Sequence, residues 1–186
     1  AIGRLKGIKV AYVGDGRNNV ACSLMVGCAK AGVDFVNCTP AALTPSPESV
    51  VLAREIAAKN GGSIAIVSDP KRGVRGANAV YTDVWISMGE EAQQEERLRL
   101  LRPYQVTSEL MDATGHVQSG KAIFLHCLPA LHDSETEFTK QIGALEVTNE
   151  VFEAPYSRVF DQAENRVHTI KAAIVSSICG PVSLGG

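Results

Sequence analysis

Three short stretches of this sequence gather side chains able to do chemistry together: Gly14-Asp15-Gly16-Arg17-Asn18-Asn19, Thr82-Asp83-Val84-Trp85-Ile86-Ser87-Met88-Gly89, and His126-Cys127-Leu128-Pro129. In the second, the Asp83 carboxylate can hold an ammonium group, while the Ser87 hydroxyl and the backbone amides around Met88 and Gly89 can hold a carboxylate. Such a loop suits the head group of a zwitterionic amino acid; it equally suits a surface loop with a serine N-cap and a glycine hinge. The first stretch supplies two glycines of the dinucleotide fingerprint G-x-G-x-x-G, but Asn19 stands at the third position, where a side chain hinders close helix approach. The next apolar run closes on Asn37-Cys38-Thr39 without an acidic residue, which also disfavours a nicotinamide cofactor. Asn18 and Asn19 then read as a helix N-cap, as amides reaching a polar small molecule, or as both.

In the third stretch a thiol follows a histidine. Neighbouring strand residues point to opposite faces, which argues against a Cys–His nucleophile pair. Pro129 implies a fixed turn, of which a cis bond is one form, that would aim backbone carbonyls toward a ligand. His116, His132 and His168 lack metal-ligand spacing and no C-x-x-C pair occurs, so no metal site is expected.

Each stretch follows a short apolar run. Residues 8–13 read as a buried strand, 19–31 as a helix closed by Gly32, 33–38 as a second strand, and 48–59 as a helix entered through Pro47 and closed by Gly61-Gly62. Residues 63–67 give a third strand, 71–76 a short helix, 79–84 a fourth strand, and 90–101 an amphipathic helix whose acidic-then-basic order suits the helix dipole. A less regular stretch covers 107–114, 122–125 is a fifth strand, and a last helix runs from 161 or 162 to 177. The alternation predicts an α/β fold: a doubly wound, mainly parallel, Rossmann-like sheet with helices on both faces. In such sheets ligands bind beyond the carboxyl ends of the strands, where all three stretches fall.

The chain has 186 residues, 45% hydrophobic and 20% charged, which describes one globular domain with a real core. Its formal charge is −2 and its basic residues are scattered, so nucleic acid is not an expected partner. No apolar run has the roughly 18 to 20 residues of a membrane span, and Ala1–Val10 lacks a signal-peptide core, which predicts a soluble cytoplasmic protein with no membrane partner. Five cysteines, an odd number, are expected as reduced thiols; four have apolar or small neighbours and read as buried, with Cys127 the exception.

Taken together, G-D-G-R-N-N, T-D-V-W-I-S-M-G, F-L-H-C-L-P and F-D-Q-A-E-N-R-V-H-T-I-K, in that order, resemble the ornithine carbamoyltransferases of the aspartate/ornithine carbamoyltransferase family. The resemblance runs from Leu5 to about Ser177 and implies an ornithine-binding domain over 1–160 followed by an interdomain helix and tail over 161–186. It implies that Asn19, Asp83, Ser87 and Met88 hold the α-amino and α-carboxylate groups of L-ornithine. Cys127 and Leu128 would stand beside the δ-amine and the carbamoyl group, and Arg166 would bind and polarise carbamoyl phosphate. Cys127, Arg166 and Asp83 are thus the expected catalytic set, acting without a cofactor.

The same resemblance implies an amino-terminal carbamoyl-phosphate domain with a Ser-x-Arg-Thr-Arg loop, and no equivalent occurs here. Carbamoyl phosphate binding would need that domain, which in the family also supplies most contacts of a homotrimer-based assembly. The chain alone is therefore expected to turn over negligibly. Ile170, Ile174, Val175 and Ile178 share one face of the last helix and are expected to stand uncovered. Other acceptors in the same class are putrescine, acetylornithine and aspartate; a non-catalytic amino-acid-binding module is the reading from another class.

Overall fold

The computed structural model describes residues 3–86, 94–136 and 139–179. Five strands, β1 (Lys9–Val13), β2 (Asp34–Cys38), β3 (Ile64–Val67), β4 (Ala79–Thr82) and β5 (Ile123–His126), pair in parallel in the order β3-β2-β1-β4-β5. The helices are α1 (Asn19–Ala31), α2 (Pro47–Asn60), α3 (Pro70–Val74), α4 (Gln94–Leu101), α5 (Ser108–Asp112), α6 (Thr139–Ile142), α7 (Asn149–Phe152) and α8 (Val159–Cys179). Side chains alternate across the sheet. Tyr12, Phe35, Ile64 and Tyr81 pack against Ala21, Met25 and Ala29 of α1 and Val50, Ala53 and Ala57 of α2. Ala11, Val13, Val80 and Phe124 face Val74 of α3, Met111 of α5 and Val151 of α7. Helices thus cover both faces, and each fully buried large side chain contributes about 1.5 to 3 kcal/mol.

Local chemistry sets the element ends. The Asn18 side chain accepts from the Val20 amide at 2.7 Å to open α1, and Gly32 closes it at φ 67°, a conformation that costs a glycine little. Ser46 caps α2 ahead of Pro47. β4 stops at Thr82, two residues earlier than its apolar run suggests, because the Asp83 carboxylate takes the Val84 N–H at 2.8 Å and turns the chain out of the ladder. The stretch 107–114 contains a helix after all: Thr107 Oγ1 accepts from the Leu110 amide at 3.2 Å and caps α5. α5, α6 and α7 have five residues or fewer, too short for helical periodicity to register.

The chain reverses direction at β1 and β4. β1 connects outward to β2 and β3, β4 to β5 on the other side, so the topological switch point, where such sheets bind ligands, falls at the carboxyl ends of β1 and β4. Thr82 Oγ1 donates to the Val13 carbonyl at 2.7 Å and ties those ends together. Among the described residues no helix is long and apolar enough to cross a membrane.

Candidate functional site at the strand ends

Asp83 follows β4 and Cys127 follows β5, and adjacent parallel strands bring them together: the Cys127 thiol donates to Asp83 Oδ1 at 2.8 Å. Burial, then the hydrogen bond and charge of Asp83, push the Cys127 thiol up to about 12. Cys127 is therefore a protonated donor at neutral pH and not a thiolate nucleophile. His126, the last residue of β5, is 1% exposed.

The next residues are held in an unusual path. Leu128 adopts φ 57°, which costs a side-chain-bearing residue about 1 to 2 kcal/mol, and the Leu128–Pro129 peptide bond is cis. The Leu128 N–H donates to His126 Nδ1 at 2.9 Å, which places the neutral ring's proton on Nε2, 3.3 Å from Glu146 Oε1. Glu146 Oε1 in turn accepts from the Leu131 N–H at 2.6 Å. Two side chains with no exposed surface thus brace both ends of the segment 128–131.

The loop after β1 is fixed from two directions. Gly16 donates to Thr39 Oγ1 at 2.9 Å and its carbonyl accepts from Asn37 Nδ2 at 3.2 Å; a Cβ on Gly16 would stand 2.7 Å from Asn37 Oδ1. Asp15 turns inward to a buried ion pair with Arg97 of α4 at 2.7 Å, and Arg97 Nε donates to the Trp85 carbonyl at 2.8 Å. Arg97 thereby ties the loops after β1 and β4 to one helix. With the Val20 amide engaged by Asn18 and the glycine loop filled by Asn37 and Thr39, the residues present do not form a pyrophosphate cradle.

Of the expected site residues, Asp83, Cys127 and Leu128 come together. Asn19 is exposed at the start of α1, on the rim of an apolar groove of about 430 Å³ that Tyr81 also lines. Arg166 is exposed on α8, yet its charge reaches the Tyr81 phenol, which also lies in the fields of Cys127 and Asp83. Ser87 and Met88 lie outside the described residues. The ligand atoms of Asp83, His126 and Cys127 fall within 4.8 Å of one another, but Cys127 is spent on Asp83 and His126 Nδ1 on the Leu128 amide.

Sequence reasoning missed Glu146, Arg97 and Gln162. Glu146 carries a signal, a lone acid inside Ala-Leu-Glu-Val; Arg97 carries none, because in a charged amphipathic helix it reads as solvated. All five cysteines are free, but the expectation that four are buried fails for Cys179, exposed at the end of α8, and only Cys38 is fully buried. Among the histidines, His116 sits between Asn78 and the Ala77 carbonyl, His132 stacks on Phe152 with ring centres 3.7 Å apart, and His168 is exposed.

The chain is similar along its length to carbamoyltransferases. The catabolic ornithine carbamoyltransferase of Bacillus licheniformis is 48% identical over 182 residues, covering 95% of this chain and 53% of the relative. The solved ornithine carbamoyltransferase of Pyrococcus furiosus superimposes with a TM-score of 0.79 at 43% identity, over 93% of this chain and 50% of that one. The one from Gloeobacter violaceus gives a TM-score of 0.77 at 42% identity, over 92% and 52%. The chain thus spans about half the length of the curated relatives it matches. Residues 6–177 match the family described as aspartate/ornithine carbamoyltransferase, Asp/Orn binding domain, and the chain belongs to that family.

Proposed function

We propose that this chain is the amino-acid-binding half of an ornithine carbamoyltransferase. The observation that carries the reading is the Cys127–Asp83 hydrogen bond across the carboxyl ends of β4 and β5, inside a sequence 48% identical to such an enzyme. Asp83, with Asn19, Ser87 and Met88, holds the α-amino and α-carboxylate groups of L-ornithine. Cys127 and the Leu128 backbone face the δ-amine and the carbamoyl group, and the Arg166 guanidinium supports charge on the carbamoyl oxygen.

In the reaction so assigned, the neutral δ-amine attacks the carbonyl carbon of carbamoyl phosphate. A C–N bond forms, the C–O bond to phosphate breaks, phosphate leaves, and the amine loses a proton to give citrulline. Positioning and electrostatics carry such a step. A thiol raised to about 12 orients the amine as a hydrogen-bonding partner and is not the base. The phosphate loop comes from a carbamoyl-phosphate domain outside this sequence, in a trimer-based assembly that α8 joins, and the chain alone is inactive. The free cysteines suit a cytoplasmic compartment.

Calorimetric titration of the chain with L-ornithine tests the reading. Binding that Asp83→Ala abolishes, and that putrescine, lacking a carboxylate, does not reproduce, is expected; equal heats from both proteins would overturn the role of Asp83. Robust citrulline formation by the isolated chain would overturn its incompleteness.

A further inference from the structure

We propose that Gln162 and Tyr81 are positioning residues for Arg166: their hydrogen bond sets the face that α8 turns toward the sheet and so holds the Arg166 guanidinium beside the β4 and β5 strand ends. The proposal rests on the reading above that Arg166 acts at this site.

α8 has little else to orient it. Val159 is its one buried residue, Gln162 is half-buried, and every described residue from 163 onward is exposed. Phe160 sets its edge on Phe152 with ring centres 5.9 Å apart. The Gln162 Nε2 donates to the Tyr81 hydroxyl at 2.8 Å, across 81 positions of sequence. Other side-chain hydrogen bonds of α8, from Thr169 and Ser177, return to carbonyls of the helix itself. Residues 160 and 162 lie on nearly opposite sides of a helix, so two contacts at the first turn fix its roll.

Tyr81 is a rigid anchor. It pairs with Tyr12 and Leu125 in the sheet ladder and stacks on Tyr12 with ring centres 6.4 Å apart. Arg166 follows Gln162 by four residues and shares its face. The hydroxyl that receives Gln162 feels the charges of Cys127 and Asp83 and, less strongly, that of Arg166. Exchanging the amide nitrogen and oxygen of Gln162 would let Tyr81 donate instead and would keep the bond.

The test uses this chain and the thiol of Cys127 as a probe of local potential. Alkylation of Cys127 is followed by peptide mass spectrometry with iodoacetate, an anion, and iodoacetamide, which is neutral. Altered exposure of the thiol changes both rates alike, so their ratio isolates the nearby positive charge. Arg166→Ala is expected to lower the iodoacetate-to-iodoacetamide ratio about threefold. Gln162→Met, an isostere without the amide, and Tyr81→Phe should each lower it comparably, and neither should lower it further in the Arg166→Ala background. If Arg166→Ala lowers the ratio while Gln162→Met and Tyr81→Phe leave it unchanged, the positioning role is overturned and the placement of Arg166 stands. If Arg166→Ala leaves the ratio unchanged, the placement of Arg166 at the site falls and the positioning role with it.

Discussion

Cys127 donates its thiol proton to Asp83 at 2.8 Å, so two residues 44 positions apart act as one polar unit on neighbouring strand ends. Because the Asp83 charge and hydrogen bond both raise the Cys127 thiol, removing that charge must lower it. Asp83→Asn is expected to shift the pH midpoint of Cys127 alkylation downward by about one unit or more. An unchanged or higher midpoint would contradict the pairing.

Alkaline pH should weaken the fold. Burial raises Cys28 to about 11 and Cys38 to about 12, from 9.0, and Cys127 reaches about 12. The native chain therefore retains thiol protons that the unfolded chain releases, so the stability they contribute is complete below pH 9.0 and falls as pH rises toward 12. A urea midpoint lower at about pH 10.5 than at about pH 8 is expected; midpoints that coincide would refute the linkage.

The Asp15–Arg97 pair is almost fully buried, while Asp15 also pairs with the more exposed Arg17 at 3.3 Å, so deleting Arg97 leaves Asp15 one cationic partner. Arg97→Ala should cost about 1.5 to 3 kcal/mol in chemical denaturation, since Arg17 still compensates Asp15. A loss within the range of a surface pair would mean that water reaches Asp15 freely.

His126 and Glu146 hold the segment 128–131 through amides at both ends. Glu146→Ala should destabilise by about 2 to 3 kcal/mol, and Glu146→Gln by less, since the amide oxygen can still accept from Leu131. Equal losses in the two variants, measured by thermal unfolding, would mean that the carboxylate charge, which both remove, carries the effect and not the hydrogen bond from Leu131.

Val167, Ile170, Ile174 and Ile178 are 47% to 78% exposed along α8. The isolated chain should self-associate through this stripe, and Ile170→Lys with Ile174→Lys should return it to a monomer in sedimentation velocity. A monomer at all concentrations before substitution would remove the stripe as an adhesive surface.

The sheet and its winding were legible because the strands are contiguous apolar runs followed by glycine or polar turns, as in Val10-Ala11-Tyr12-Val13-Gly14. Partners joined across the fold were not legible. Glu146 lies 20 positions after His126 and Arg97 lies 82 after Asp15, and no local pattern encodes either meeting. Helices of one turn, such as α7, depend on capping and packing more than on period.

Among the described residues, Val159, Phe160, Asp161 and Gln162 hold α8, all in its first turn, so α8 is a lever with its pivot at one end. At 1.5 Å per residue it reaches roughly 25 Å past Gln162, so a tilt of about 10° sweeps Cys179 through roughly 4 Å but carries the Arg166 backbone only about 1 Å. Whatever grips the far end of the helix can travel considerably while the guanidinium near the fulcrum keeps its aim.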